Sequence, residues 1–146
     1  MQTSYPRQYL YRRVVRAKLY IDEAFASNIE LTNIAGEACF SKFHFIRLFK
    51  TIYGKTPHQY LIYVRIESAK LLLANGETVA KACYSVGFDS ITSFTSLFKR
   101  RTGLTPAAYQ LREILRANEV VSRPLKFVPN CFVEKNGWSE IAIFEN

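Results

Sequence analysis

Lys42, Phe43, Ile46, Arg47 and Lys50 share one side of a stretch patterned as a helix, and their side chains suit contact with a nucleic acid. Phe45, Leu48, Phe49 and Ile52 recur at i, i+3, i+4 and i+7, so they take the core-facing stripe and leave the first set turned outward. Large apolar groups such as Phe43 and Ile46 on an open face need a partner, either the preceding helix or a ligand. As a face for a DNA major groove the set is coherent. Arg47 can bond a guanine edge, Phe43 and Ile46 can touch thymine methyls, and Lys50 can hold a phosphate with Lys42 beside it.

A second such face follows from an internal repeat. FIRLFKTIYGKTPHQY, starting at Phe45, and FTSLFKRRTGLTPAAY, starting at Phe94, share eight identities in one register at a constant offset of 49 residues. Phe45, Leu48, Phe49, Lys50, Gly54, Thr56, Pro57 and Tyr60 recur as Phe94, Leu97, Phe98, Lys99, Gly103, Thr105, Pro106 and Tyr109, so the chain carries two copies of one unit. Moving the outward set by that offset gives Thr92, Thr95, Ser96 and Lys99, with Ile91 alongside. This face is small and hydroxylic. Its side chains can bond bases or phosphates and discriminate weakly.

Other chemistry finds no residues to stand on. His44 and His58, the only histidines, lack a Cys, Asp or Glu at ligand spacing, so no metal is expected. The sequence contains no Gly-rich phosphate loop, GxSxG elbow or HExxH. Asp22-Glu23 reads as solvated helix charge rather than a paired acid and base. No catalytic residue, cofactor or enzyme activity is expected. Cys39, Cys83 and Cys131 are far apart with no CxxC pair and read as small buried hydrophobes in a reducing compartment.

The elements that must position these faces are legible from caps and breakers. Gln8 to about Ala26 is predicted as a helix with Leu10, Val14, Ala17, Leu19, Ile21 and Phe25 as its apolar stripe. Arg12, Arg13, Arg16 and Lys18 crowd its other sides, as a solvated face or a phosphate contact. Leu31–Ala38 and Thr78–Ser85 are predicted as short helices. Turns follow at Cys39–Phe40 and Gly87–Phe88, and then longer helices capped by Ser41 and by Asp89 or Ser90. Gly54 and Gly103 suit left-handed stops, and each Thr-Pro suits an N-cap with proline at the first helical position. Between the copies, Pro57–Ala74 reads as one helix, with Tyr60, Leu61, Val64, Ser68, Leu71 and Leu72 in helical spacing and Asn75-Gly76 closing it. Its roughly 25 Å would hold the two units at a fixed separation.

Composition sets the outer bounds. The 146 residues suit one domain or two very small ones, and a hydrophobic fraction of 49% excludes a disordered chain. Lys+Arg number 20 against 12 Asp+Glu, a formal charge of +8, which implies an anionic partner. The densest apolar runs, Tyr60–Val64 and Leu71–Ala74, fall far short of the roughly 18 residues of a membrane span, and the first residues lack a secretory h-region.

SKFHFIRLFKTIYGKTPHQYLIYVRIESAKLLL and VGFDSITSFTSLFKRRTGLTPAAYQ closely resemble the DNA-binding domain of the AraC/XylS family of bacterial transcription regulators, over roughly residues 10–112. The resemblance implies an all-α, homeodomain-like fold of seven helices. Two helix-turn-helix units would sit on one connecting helix, with both recognition helices in successive major grooves on one DNA face. The domain would span residues 8–112: a first unit at 8–56, the connecting helix at 57–75 and a second unit at 77–112. The first reader matches Phe43, Ile46 and Arg47, flanked by Lys42 and Lys50. The second matches Ile91, Thr92, Thr95 and Ser96, with Lys99 near the backbone. Phe88, Phe98, Pro106 and Tyr109 match structural positions. Cys39 stands where the family usually has glycine, and a left-handed backbone there would cost roughly 1 kcal/mol or more. Ser96 stands where relatives often carry arginine.

Residues 113–146 form an extension of unassigned role. Its part beyond Asn118 lies outside the resemblance, and Phe132–Trp138 and Ile141–Phe144 are patterned as a short β-hairpin around Asn136-Gly137. The expected partner is double-stranded DNA, and the resemblance implies binding as a monomer and activation with contact to RNA polymerase, in the cytoplasm, at the nucleoid and without a membrane. The resemblance places it with the short, stand-alone members controlled by abundance. A different class, an interaction protein that engages polymerase or another regulator and binds DNA only non-specifically, shares the basic charge but does not use Arg47 and its apolar neighbours. A ligand-gated sensor would need a pocket of roughly 300 Å³ or more, which the tail is too short to build.

Overall fold

The computed structural model describes residues 5–29 and 41–137. Among these the chain is helical, with no strand: α1 (Tyr5–Ala24), α2 (Lys42–Tyr53), α3 (Pro57–Ala74), α4 (Val79–Ser85), α5 (Ile91–Thr102), α6 (Pro106–Ser122), a 3-10 turn (Pro124–Phe127) and α7 (Asn130–Lys135). The expected short helix Leu31–Ala38 and the turn at Cys39–Phe40 lie outside the described residues.

The sequence repeat is a structural repeat down to single atoms. Ser41 and Ser90 cap α2 and α5, their hydroxyls accepting from the backbone N–H of His44 and Ser93. Of the two caps expected for α5, Ser90 is the one used. Gly54 and Gly103 end these helices in the left-handed region, φ 69° and 81°, and each N–H donates at 2.8 Å to the carbonyl of Lys50 or Lys99. Thr56 and Thr105 then cap α3 and α6, and Thr56 forms a reciprocal capping box with Gln59. Each αL glycine lets the chain reverse at once into a proline-led helix without a Cβ clash.

Each unit closes around an aromatic stack at equivalent positions. Phe45 and Phe49, like Phe94 and Phe98, are buried, and Tyr60 and Tyr109 meet the second ring of each pair edge-on at centroid distances of 5.8 and 5.5 Å. Val14, Ala17, Ile21 and Leu61 complete the first core. Ile66, Ala69, Leu73, Ala82, Cys83 and Val86 complete the second, with Phe88, Leu97 and Tyr109 packed against it. Hence α3 serves two cores. Tyr60 and Leu61 face one, and Ile66, Ala69 and Leu73 face the other from roughly 160° around the helix. A helix shared in this way carries no single apolar stripe, which is why Leu71, expected to be interior, is exposed. Leu19 on α1 is likewise exposed, leaving Val14, Ala17 and Ile21 as that helix's buried line.

Three further expectations are corrected. Asp22 is not merely solvated: its carboxylate accepts from the Tyr60 hydroxyl at 2.8 Å and pairs with Lys18 at 2.6 Å, tying α1 to α3. That bond raises the Lys18 ammonium above its ordinary value, and burial, with Asp22 beside it, raises the Tyr60 phenol. Cys83 is buried, and burial pushes its thiol up, but Cys131 is exposed and Cys39 lies outside the described residues. The tail is not a hairpin where it is described. The chain reverses at Arg123 so that Leu125 is buried near α6 and Lys126 bonds Glu119. Residues 130–135 then form α7. The carbonyl of Pro129 accepts from Phe132 and Val133, and Asn136-Gly137, with Gly137 at φ 64°, closes the helix. The dipeptide that favours a hairpin turn also terminates a helix, and Ile141–Phe144 lies outside the described residues.

Because the two aromatic stacks carry the two cores, Phe49→Ala and Phe98→Ala should each destabilise the protein by about 3–5 kcal/mol. Val121→Ala, at a side chain 80% exposed, should stay within about 0.5 kcal/mol of wild type. Urea denaturation followed by circular dichroism measures both.

Candidate nucleic-acid interface

The Ser41 cap starts α2 at Lys42, so Lys42, Phe43, Ile46 and Arg47 occupy its first turn and a half, with Lys50 one turn further on. Lys42, Arg47 and Lys50 are exposed, and Phe43 is 76% exposed, the most open large apolar side chain of that helix. Ile46 divides its surface: it packs partly against the first core and shows the remainder on the same face as Phe43. Packing against the first unit therefore accounts for Ile46 in part and for Phe43 not at all.

The second face reproduces this arrangement position by position. Ile91, Thr92, Ser96 and Lys99 are exposed, and Thr95, the counterpart of Ile46, is again half-buried. The pairs Lys42/Ile91, Phe43/Thr92, Ile46/Thr95, Arg47/Ser96 and Lys50/Lys99 thus share backbone placement and differ only in chemistry. Arg47 brings five N–H donors in a planar fork where Ser96 brings one hydroxyl.

The positive charge around these faces exceeds what the repeat suggested. Arg100 and Arg101 follow Lys99 in the last turn of α5, all three exposed, where the helix dipole favours cations. The basic run Lys99-Arg100-Arg101 signals them in the sequence, but core periodicity draws attention to Phe98 instead. On α1, Arg12 and Arg16 are exposed, Lys18 is held by Asp22, and the Arg13 guanidinium lies 4.3 Å from the Tyr9 ring centroid. No group of three His, Cys, Asp or Glu that could hold a metal occurs among the described residues.

One residue that ties helices together has no signal in the pattern. Arg65, in the middle of α3, donates from Nε to the carbonyl of Phe25 at 2.8 Å and from Nη2 to that of Ser27 at 3.0 Å. Burial lowers its guanidinium from the ordinary value, and the charge of Asp89 opposes that shift. Arg65 touches neither outward face. It joins α3 to the end of α1.

The family model described as a helix-turn-helix domain matches residues 34–112. The chain belongs to the AraC family of helix-turn-helix DNA-binding domains. It is 37% identical over 94 residues to the MmsAB operon regulatory protein of Pseudomonas aeruginosa, covering 64% of this chain and 31% of that one. With the bifunctional transcriptional activator/DNA repair enzyme AdaA of Bacillus subtilis it shares 34% identity over 92 residues, 62% of this chain and 44% of that one. The chain thus spans under half the length of these two relatives. Among solved structures it resembles the C-terminal domain of AraT, a response regulator from Geobacillus stearothermophilus, with a TM-score of 0.66 and 27% identity over 70% of this chain and 87% of that one. It also resembles the DNA-binding domain of AdpA in complex with a target DNA, with a TM-score of 0.64 and 27% identity over 76% of this chain and 96% of that one. As an AraC-family chain it has the all-α, two-unit architecture that its sequence implied. No helix among the described residues is long and apolar enough to cross a membrane.

Lys50 and Lys99 occupy equivalent exposed sites, so their effects on nucleic-acid binding should be alike. With about six phosphate contacts, log K against log[salt] should slope near −5, and Lys50→Ala or Lys99→Ala should each flatten it by about one unit. Fluorescence anisotropy of a labelled duplex across a salt series reads the slope, and a wild-type value near zero would remove nucleic acid as the main partner.

Proposed function

We propose that this chain is a sequence-specific, DNA-binding transcription regulator that lays α2 and α5 into successive major grooves of one duplex. Residues 8–112 form its binding domain, with units at 8–56 and 77–112 joined by 57–75, and residues 113–146 form an extension. Lys42, Phe43, Ile46, Arg47 and Lys50 are the first contact set, and Ile91, Thr92, Thr95, Ser96 and Lys99 the second. The observation that carries this is the exposed pair Phe43 and Arg47 at the head of a capped helix, with a matched face recurring 49 residues on. The fold shared with the DNA-bound AdpA domain supports it. We further propose monomeric binding and activation through contact with RNA polymerase, the latter supported by the word activator in the name of the AdaA relative. The regulator would act in the cytoplasm, at the nucleoid.

The two faces should differ in what they read. Arg47 can engage a guanine in two parallel bonds, whereas Thr92, Thr95 and Ser96 make single, adaptable ones. Arg47→Ala should weaken binding to the best site by about 1–3 kcal/mol and flatten preference at one or two base pairs. Ser96→Ala should cost much less and leave the preference intact. Titrating each variant against the best duplex and its single-base variants at fixed salt decides it. If Ser96→Ala alters preference more than Arg47→Ala, the roles are reversed.

Duplexes selected from a random pool should be asymmetric, with two short blocks roughly 10 bp apart centre to centre, because two unlike faces sit on one rod. A palindrome bound only by a dimer would overturn the monomer. Equal affinity for selected and scrambled duplexes would assign the chain to non-specific binding, with a protein as its specific partner.

A further inference from the structure

The end of α1 is trapped between the two units. Phe25, just past the last residue of that helix, packs against both hydrophobic cores. The carbonyls of Phe25 and Ser27, left over where α1 stops, accept the two bonds from Arg65 of the connecting helix. A guanidinium suits this place because its planar fork reaches two carbonyls at once and its charge complements the negative end of a helix. The same guanidinium lies 5.6 Å from the centroid of Phe88, in the turn between α4 and α5.

That turn closes the junction from the other side. Gly87 has φ +89°, and a Cβ there would sit 2.7 Å from the carbonyl oxygen of Ala26 and 3.0 Å from Arg65 Nη2. Two separate constraints therefore demand glycine: a left-handed backbone and the approach of the α1 end. Asp89, two residues on and one before the Ser90 cap of α5, supplies the negative charge that Arg65 feels.

We infer that Arg65, seated against the Gly87 turn, is a positioning residue that locks α5 at a fixed rotation and distance from α2. The α3 rod alone sets a separation but tolerates bending and twist, and this clasp removes both by fixing the start of the second unit to the end of α1. Its consequence for DNA rests on the proposed function: the protein should reject sites whose two blocks are displaced by one base pair, a shift of about 3.4 Å and roughly 35°.

Two measurements on the full chain test this. In the first, the selected duplex and a version with one inserted base pair compete for the same protein, so the ratio of affinities does not depend on how much protein is folded. Wild type should prefer the parent by about tenfold, the scale of one misplaced base contact. Arg65→Met and Gly87→Ala should each reduce that ratio to about threefold or less. Arg65→Lys, which restores charge but not the fork, should fall between. Leu73→Ala, which loosens the second core away from the junction, should keep the wild-type ratio. In the second, without DNA, residual dipolar couplings of backbone amides in α2 and α5 should fit one alignment tensor in wild type and require two in Arg65→Met. Unchanged ratios in both junction variants, or two tensors in wild type, overturn the clasp. A single tensor in a wild type with no sequence preference leaves the clasp standing and sinks the DNA assignment.

Discussion

The structure depends on the small polar junction where Arg65 holds the carbonyl end of α1. Each unit's core is modest, built on two phenylalanines and a tyrosine, and neither alone fixes where the other lies. The α3 helix belongs to both cores through different sides, so the units share a rod but not an interior. A partly buried cation satisfied by two backbone carbonyls and an aromatic face supplies the directional bond that apolar packing lacks. Phe25 brings apolar contact with both cores to the same spot.

Duplication solves a second problem, that of presenting a helix face to a ligand while its other side is anchored. In both copies the serine cap, the buried phenylalanine pair and the αL glycine define the helix at its start, middle and end. With so much of each copy fixed by its scaffold, the outward positions are free to diverge. They have done so: an arginine with a phenylalanine on one face, hydroxyls on the other. Two faces of equal placement and unlike chemistry thus arise on one repeated scaffold.

Charge is arranged to match. The basic side chains of α2 and α5 lie exposed along and after the outward faces. The cations used structurally, Lys18 with Asp22 and Arg65 with the α1 end, have defined acceptors inside the fold. The positive charge is thus divided between exposed cations on the helix faces and cations held inside the fold, and the exposed share is the one that salt screens most.

The sequence by itself determined nearly every helix boundary from α2 to α5, because caps, αL glycines and Thr-Pro starts act locally, and repetition exposed which positions must match. It also identified the outward faces, since Phe45 and Phe49 leave only one side of α2 for Phe43 and Arg47. The sequence did not reveal that Leu71 lies outside the cores, because hydrophobic periodicity cannot tell a helix serving two cores from one serving a single core, nor that Leu19 lies off the buried line of α1. It misread Asp22, whose partner Tyr60 is 38 residues away, and Asn136-Gly137, which ends a helix or turns a hairpin according to its neighbours. Only the tertiary structure decided the role of Arg65. Its acceptors are carbonyls about 40 residues distant, and every residue has a carbonyl, so no pattern of side chains could have marked them.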